Sequence, residues 1–215
     1  MLNNEIPTAK EFVTVIATIH RASAGHSPNT LKPYGFHVPT HLAHIPNDNS
    51  WQATWEGFFA QAMKRMFDVE ESVHGKEERL SRLKIELFGM VIPRLSRPLE
   101  TRGRVVTPCL VHSDLWLGNV KVDAETRAVV VLDSCAFWGH NEADLGSWRA
   151  ERYNLGREYL AEYVAVMGVS EPRGDWEDRN ALYAIRYDLL VSALRAKDLR
   201  FREMYEGYSA SGDYI

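Results

Sequence analysis

The chain has 215 residues, of which 45% are hydrophobic and 25% are charged, and its formal net charge at pH 7 is −4. This composition is typical of one soluble globular domain or one large lobe, and the lack of any basic block argues against nucleic-acid binding. Because no apolar stretch could cross a bilayer, no secretory signal opens the chain and only Cys109 and Cys135 are cysteines, we expect no membrane partner, no disulfide framework and a reducing, cytoplasmic compartment.

The first hundred residues are predicted to be mostly helical. Residues 8–11 (Thr-Ala-Lys-Glu) form a capping-box pattern that opens a helix running to about Ala22. Residues 23–49 contain many Gly, Pro and Asn residues and are predicted to be loop. Ser50 is predicted to cap the next helix, and a later apolar pattern indicates a helix that stops at Pro93.

A strand, a loop and a hairpin are predicted in the middle of the chain. Residues 108–111 predict a short buried strand that leads into a polar loop. Residues 119–122 and 128–132 predict the two strands of one hairpin. A hairpin of this length would fold Asp133 back towards Asn119.

The last part of the chain is predicted to be helical again. Apolar residues at helical spacing precede Gly168, which is predicted to cap the end of that helix. Asp175 is predicted to cap the last long helix, and the tail from about Tyr208 is predicted to be frayed.

Three polar residues of the central segment point to chemistry. Asp114, Asn119 and Asp133 resemble, in order and spacing, the catalytic loop and metal-binding aspartate of enzymes that transfer the γ-phosphoryl group of ATP. In that arrangement the first Asp takes the proton of the acceptor hydroxyl, and the Asn and the second Asp hold Mg²⁺, a hard ion that prefers oxygen ligands. Gly118 would let the backbone approach the phosphates. An Asp after a Val-rich strand is often only a turn residue or helix cap, but its conjunction with strand, loop and hairpin favours phosphotransfer.

Two longer motifs narrow the resemblance to one family. Residues 112–119 (His-Ser-Asp-Leu-Trp-Leu-Gly-Asn) are similar to the His-Gly-Asp-Leu-Trp-x-Gly-Asn signature of the fructosamine/ketosamine 3-kinase family. Residues 132–145 are similar to that family's Phe-Asp-Pro-Ala-x-x-Tyr-Gly-His-x-Glu-x-Asp-Leu run. The Asp-Ser-Cys-Ala variant in this second motif, and residues 175–183, resemble fungal members. The resemblance covers roughly residues 10–190.

The resemblance implies a fold, cofactors and a reaction. The expected fold is α+β and mainly α, the C-terminal lobe of a protein-kinase-like fold with a small β-hairpin at the active site. The implied cofactors are ATP and Mg²⁺, with Asp114 as the catalytic base and Asn119 and Asp133 as magnesium ligands. The implied reaction is phosphorylation at O3 of ketosamines, either small molecules or fructosamine and ribulosamine adducts on protein lysines, in repair of glycated proteins.

The same resemblance suggests supporting roles for other residues of the two motifs. Trp116 would form a wall against the sugar, and His140 and Glu142 would contact the acceptor. His112 and Asp144 would support the loop structurally. From sequence alone, Asp144 is equally well the N-cap of a helix that starts after it.

The chain departs from the family pattern in two places. Ser113 replaces the Gly of the signature, which is sterically mild unless the position requires a positive φ. The family's N-terminal lobe, with its phosphate-covering loop and strand lysine, has no visible counterpart, since neither G-x-G-x-x-G nor G-x-x-x-x-G-K occurs. We therefore expect residues 1–215 to form a single kinase-like C-lobe that lacks the N-lobe, and its uncovered surface could favour homo-oligomers.

Two alternative functions remain open from the sequence. One is a phosphotransferase of the same superfamily with another small acceptor, which Trp116 and residues 139–142 argue against. The other is an inactive, truncated pseudokinase or binding lobe, which the missing phosphate-covering elements favour. Retention of Asp114, Asn119 and Asp133 argues against that second alternative.

Overall fold

Helices dominate the part of the chain that the structure describes. The computed structural model describes residues 1–153 and 155–197, apart from the side chains at 151 and 195–197, and the predicted fraying from Tyr208 lies outside these residues. The α-helices are, in chain order, α1 (Ala9–Ser23), α2 (Trp55–His74), α3 (Glu78–Glu86), α4 (Ile92–Ser96), α5 (Gly156–Met167) and α6 (Trp176–Lys197).

Helix α1 begins at the predicted capping box. The Thr8 hydroxyl accepts a hydrogen bond from the Glu11 amide at 3.3 Å, and the Glu11 carboxylate accepts one from the Thr8 amide at 2.9 Å. These two bonds satisfy amides that have no partner within the helix. The apolar face of α1 is buried and packs against α5, so the helix is fixed both at its start and along its side.

Helix α2 begins four residues later than predicted. Its N-cap is Thr54, whose hydroxyl accepts from the Gly57 amide at 3.1 Å. The prediction that Ser50 caps this helix is wrong, because the Ser50 hydroxyl instead donates to Asp48 at 2.6 Å in a local turn.

The prediction that a helix stops at Pro93 is also wrong. A π-helical turn at Leu87–Val91 connects α3 to α4, and Pro93 is the second residue of α4. A proline in the first turn of a helix costs no backbone hydrogen bond, since the N–H of that position has no helical acceptor. The chain therefore continues helically through the proline.

The helices near the C-terminus follow the predicted pattern more closely. Gly168 ends α5 with a φ of 75° and donates its amide to Val164 O at 2.9 Å, as predicted for a C-cap. Helix α6 begins directly after Asp175. The carboxylate of Asp175 accepts from Arg94 at 3.0 Å, a long-range contact that the sequence did not suggest.

The strands are short and pair antiparallel in three small sheets. The strands are β1 (Leu2–Asn3), β2 (His41–Leu42), β3 (Ile45–Pro46), β4 (Cys109–Val111), β5 (Val120–Asp123), β6 (Val129–Val131) and β7 (Phe137–Gly139). Their order in the three sheets is β1–β5–β6, β2–β3 and β4–β7.

The strand and hairpin predicted around the polar loop are confirmed. In the β5–β6 hairpin Val120 lies opposite Val131, and β1 adds a third strand that was not predicted. Strand β4 leads into the loop and pairs with β7, where Val111 lies opposite Phe137. The loop is thus held between two separate sheets.

Two hydrophobic clusters form most of the core. The first is centred on Trp55 and joins α2, α4 and α6 to β4 and β7. The second joins α1 and α5 to Leu115, Val120 and Trp148. The two ends of the polar loop belong to different clusters, which fixes the loop at the boundary between them.

The 3-10 segment Asn141–Arg149 packs along α6 beneath the loop. The prediction of an N-cap at Asp144 is wrong, because the segment begins earlier, after His140, and Asp144 lies within it.

The fold class predicted from the sequence, α+β and mainly α with a small hairpin, is confirmed. None of the helices described has the length and apolar character needed to cross a bilayer.

Candidate active site

The loop and the hairpin bring Asp114, Asn119 and Asp133 together. The Leu132 amide donates to Asn119 O at 2.9 Å, so the end of the hairpin returns to the loop as predicted. The side-chain amide of Asn119 donates to the backbone oxygen and to the carboxylate of Asp114, each at 2.9 Å. These two bonds fix the orientation of the Asn119 side chain relative to Asp114.

The oxygens of Asn119 and Asp133 fit a magnesium ion chemically. Because the nitrogen of the Asn119 amide faces Asp114, its Oδ1 is left without a donor among the described residues. The Asp133 carboxylate is exposed and makes no hydrogen bond to the described residues. Amide and carboxylate oxygens are ligands that Mg²⁺ prefers. In the described ranges no three His, Cys, Asp or Glu side chains converge on a metal site, so waters and phosphate oxygens would have to supply the remaining ligands.

The environment of Asp114 works against ionisation of its carboxylate. Burial raises the pKa of Asp114, while the hydrogen bond from Asn119 and the charge of Arg186 lower it and the charge of Asp133 raises it. The net effect is a raised pKa, which makes the carboxylate a stronger proton acceptor than a freely exposed aspartate.

His112 supports the loop backbone from within. Its Nδ1 accepts from the Asp114 amide at 3.3 Å, so this nitrogen carries no proton. Its Nε2 then donates to Leu132 O at 2.9 Å. The ring joins Leu132, at the end of the hairpin, to the amide of Asp114, which is the geometry expected of a structural residue.

Asp144 holds the start of the loop. Its carboxylate accepts from the backbone amides of His112 and Ser113 at 2.9 and 2.5 Å, and from His20 Nε2 at 2.9 Å. Burial by itself would raise the pKa of Asp144, but the His20 hydrogen bond and these amides hold that pKa below its usual range. The structure thus places Asp144 as a buried anchor of the loop.

Ser113 has a backbone conformation that favours glycine. Its φ is 65°, in the left-handed region that glycine adopts most easily. Serine in place of the family's glycine is therefore strained at this position and not sterically mild. The Ser113 side chain is fully buried, and its hydroxyl accepts a hydrogen bond from Arg186. Arg186 was missed in the sequence, although it lies seven residues after Arg179 on the same face of an apolar helix, a spacing that could have indicated a buried pair of arginines.

Trp116 lies on the surface of the loop and explains Gly118. The indole is 37% exposed, and a Cβ at position 118 would lie 2.2 Å from one of its ring atoms. Gly118 therefore gives the indole its place against the loop, a role that the sequence did not suggest.

The structure contradicts the prediction that His140 and Glu142 contact the acceptor. Glu142 has no exposed surface and forms a buried ion pair with Arg179, with Nε–Oε2 at 2.9 Å. The His140 ring is 2% exposed and bonds Tyr183 and Ser170 at 2.9 and 2.8 Å. His140 borders a cavity of about 400 Å³ to which no residue of the loop 112–119 contributes. Both side chains therefore have structural roles in the interior.

Comparison with known proteins agrees with the sequence motifs. The chain is 29% identical over 204 residues to the chloroplastic protein-ribulosamine 3-kinase of Oryza sativa subsp. indica, covering 88% of this chain and 52% of the relative. It is 35% identical over 116 residues to the ketosamine-3-kinase of Mus musculus, covering 52% of this chain and 34% of the relative. The chain thus spans about half the length, or less, of these curated relatives.

Solved structures share the fold. A protein of Thermobifida fusca YX-ER1 described as a fructosamine-3-kinase superposes with a TM-score of 0.68 at 23% identity, covering 94% of this chain and 65% of that one. A similarly described protein of Haemophilus somnus 129PT gives 0.66 at 19% identity, covering 96% and 64%. The sequence model of the fructosamine kinase family matches residues 2–204, and we conclude that the chain belongs to this family.

Proposed function

We propose that the protein transfers the γ-phosphoryl group of ATP to the O3 hydroxyl of ketosamines, including fructosamine and ribulosamine adducts on protein lysines, in repair of glycated proteins. The observation that carries the proposal is the Asn119 amide bonded to Asp114 beside the Asp133 carboxylate, which has no hydrogen-bond partner among the described residues. The names of the relatives, a protein-ribulosamine 3-kinase and a ketosamine-3-kinase, support the choice of acceptor.

Asp114 is the proposed general base. One of its carboxylate oxygens is held by Asn119 at 2.9 Å, so the other can accept the proton of the acceptor hydroxyl. As that O–H bond breaks, the hydroxyl oxygen bonds to the γ-phosphorus and the bond to the leaving ADP breaks. Asn119 and Asp133 would hold Mg²⁺, which supplies positive charge at the phosphates when bound.

Trp116 is the proposed wall of the sugar site. Its indole is partly exposed and is held against the loop two residues after Asp114. An aromatic face suits the C–H side of a sugar, and its position beside the base would orient the acceptor hydroxyl.

The proposed compartment is the cytoplasm. Both cysteines are buried and form no disulfide, which fits a reducing compartment. The plant relatives are described as chloroplastic. Formation of homo-oligomers stays a prediction.

The test is ADP release by the purified 215-residue chain with Mg·ATP and a ribulosyl- or fructosyl-lysine acceptor. We expect acceptor-dependent turnover that Asp114→Asn lowers roughly 10²- to 10⁴-fold, the usual contribution of a general base. Asp178→Asn removes an exposed carboxylate on α6 and should leave turnover unchanged.

Either of two results would contradict the proposal. One is turnover in Asp114→Asn that stays within twofold of the wild-type value. The other is a folded wild-type chain that binds Mg·ATP but releases no ADP with either acceptor. A panel of aminoglycoside and choline-like alcohols, run in parallel, would identify another acceptor.

A further inference from the structure

A buried arginine of α6 lies directly behind the loop. Arg186 is 4% exposed, and its two Nη groups donate to Ser113 Oγ and, at 2.8 Å, to Asn47 Oδ1. Nη2 also lies 4.0 Å from Cys135 Sγ. One guanidinium thus joins the residue before Asp114, the segment after β6 and the loop after β3.

The charge of Arg186 has no carboxylate partner among the described residues. Its Nε makes no hydrogen bond there, and the Phe137 and Tyr187 rings, each 5.7 Å from Cζ, provide only aromatic faces. Arg179, on the same face of α6, is by contrast paired with Glu142. A buried cation without a counterion is costly, so its retention calls for a compensating charge elsewhere.

The active site supplies that compensating charge. The Ser113 hydroxyl that accepts from Arg186 belongs to the residue directly before Asp114, so the guanidinium lies behind the loop that carries this carboxylate. The Cys135 thiol, 4.0 Å from Nη2, belongs to the second residue after Asp133, and the phosphates of a bound nucleotide would add further negative charge. A positive charge that the fold already holds in place stabilises negative charge at the site, and no side chain has to rearrange during the reaction.

The side chain at position 113 completes the contact. A φ of 65° is easily adopted only by glycine, yet the chain has serine there, and the serine hydroxyl is the acceptor for Arg186. Glycine could offer no such acceptor. The contact with Arg186 therefore accounts for a side chain at a strained position.

We propose that Arg186 is a positioning residue for phosphoryl transfer, an inference that rests on the proposed function. It anchors the loop before Asp114 through Ser113 Oγ and holds a positive charge behind the two aspartates.

The first readout is kinetic. Arg186→Met and Ser113→Ala should each lower kcat roughly 10- to 100-fold, the range for loss of a charge-assisted contact, with KM for ATP and ketosamine changed less than about threefold. Arg186→Lys keeps the charge and should recover part of the lost kcat. Arg149→Met removes an arginine that is 43% exposed and paired with Glu177, and should change nothing. A kcat for Arg186→Met within twofold of wild type, or no recovery in Arg186→Lys, would overturn the inference.

The second readout needs no turnover. Amide hydrogen exchange across residues 112–119, followed by mass spectrometry, should be faster in Arg186→Met and Ser113→Ala, intermediate in Arg186→Lys and unchanged in Arg149→Met. If wild type shows no ketosamine-dependent turnover, the proposed function has failed, and this exchange still decides the inference. Unchanged exchange in both variants would overturn it. Should Ser113→Ala fail to fold, Ser113→Gly removes the same hydroxyl while relieving the backbone strain.

Discussion

The ion pair between Glu142 and Arg179 is fully enclosed by protein. Neither side chain has exposed surface, and the guanidinium makes two contacts to the carboxylate, at 2.9 and 3.2 Å. The Ser170 amide donates to Glu142 at 2.6 Å and Ser170 O accepts from Arg179 at 2.7 Å, so the pair also fixes the turn after α5. Glu142, a residue of the family motif, thus stabilises the interior through a buried ion pair.

Breaking this pair should destabilise the protein strongly. Glu142→Gln leaves a buried guanidinium without its counterion, which costs on the order of 3–5 kcal/mol. Urea unfolding followed by circular dichroism measures the loss, with the exposed Glu158→Gln as the control that should change stability by less than about 0.5 kcal/mol. A loss below about 1 kcal/mol in Glu142→Gln would show that the pair is not the anchor described.

His140 should make stability depend on pH. Burial lowers the pKa of His140 to about 4, so the folded protein keeps the ring neutral while the unfolded chain takes up a proton near the ordinary value of about 6.5. The stability from this difference is full above the unfolded pKa and is lost as pH falls towards the folded pKa. At pH 5 the loss amounts to about 2 kcal/mol.

The measurement compares urea unfolding at pH 7 and pH 5 in wild type and in His140→Gln. The variant cannot take up the proton, so its stability should fall less between the two pH values. Equal falls in the two proteins would assign the pH dependence to other groups.

At the scale of elements, the start of α1 can be tested separately from its packing. Thr8→Ala removes the hydroxyl that accepts from Glu11, and we expect a loss of about 1 kcal/mol, typical of a lost N-cap. Thr18→Ala, in the same helix, removes an exposed hydroxyl whose one hydrogen bond among the described residues goes back to Thr14 O. Thermal unfolding of both variants should show a lowered midpoint for Thr8→Ala alone, and equal midpoints would mean that packing against α5 fixes the helix start.

Local patterns predicted the elements whose determinants are local. The capping box of α1 and the β5–β6 hairpin follow from spacings of a few residues, and both are confirmed. The start of α2 was missed because Ser50 and Thr54 both suit an N-cap, and only the contact of Ser50 with Asp48 decides between them. The passage through Pro93 depends on a π-helical turn, which no local residue pattern indicated.

At the scale of the whole molecule, the site was predictable in part. Asp114, Asn119 and Asp133 lie close in sequence and one hairpin brings them together, so a motif was enough to group them. The groups that hold the loop come from far along the chain. These pairs are separated by 124 residues for His20 and Asp144 and by 73 residues for Arg186 and Ser113. Such pairs depend on helix packing, which residue spacing alone does not specify.

The placement of Trp116 gives the loop its own optical reporter. Trp55 and Trp148 have no exposed surface, whereas the Trp116 indole is 37% exposed and lies two residues from Asp114. Collisional quenchers in solution would therefore reach the indole of Trp116, and in part those of Trp51, Trp138 and Trp176, while leaving the indoles of Trp55 and Trp148 untouched. The fluorescence difference between wild type and Trp116→Phe would follow binding of the proposed sugar acceptor beside Asp114 in real time, without any label.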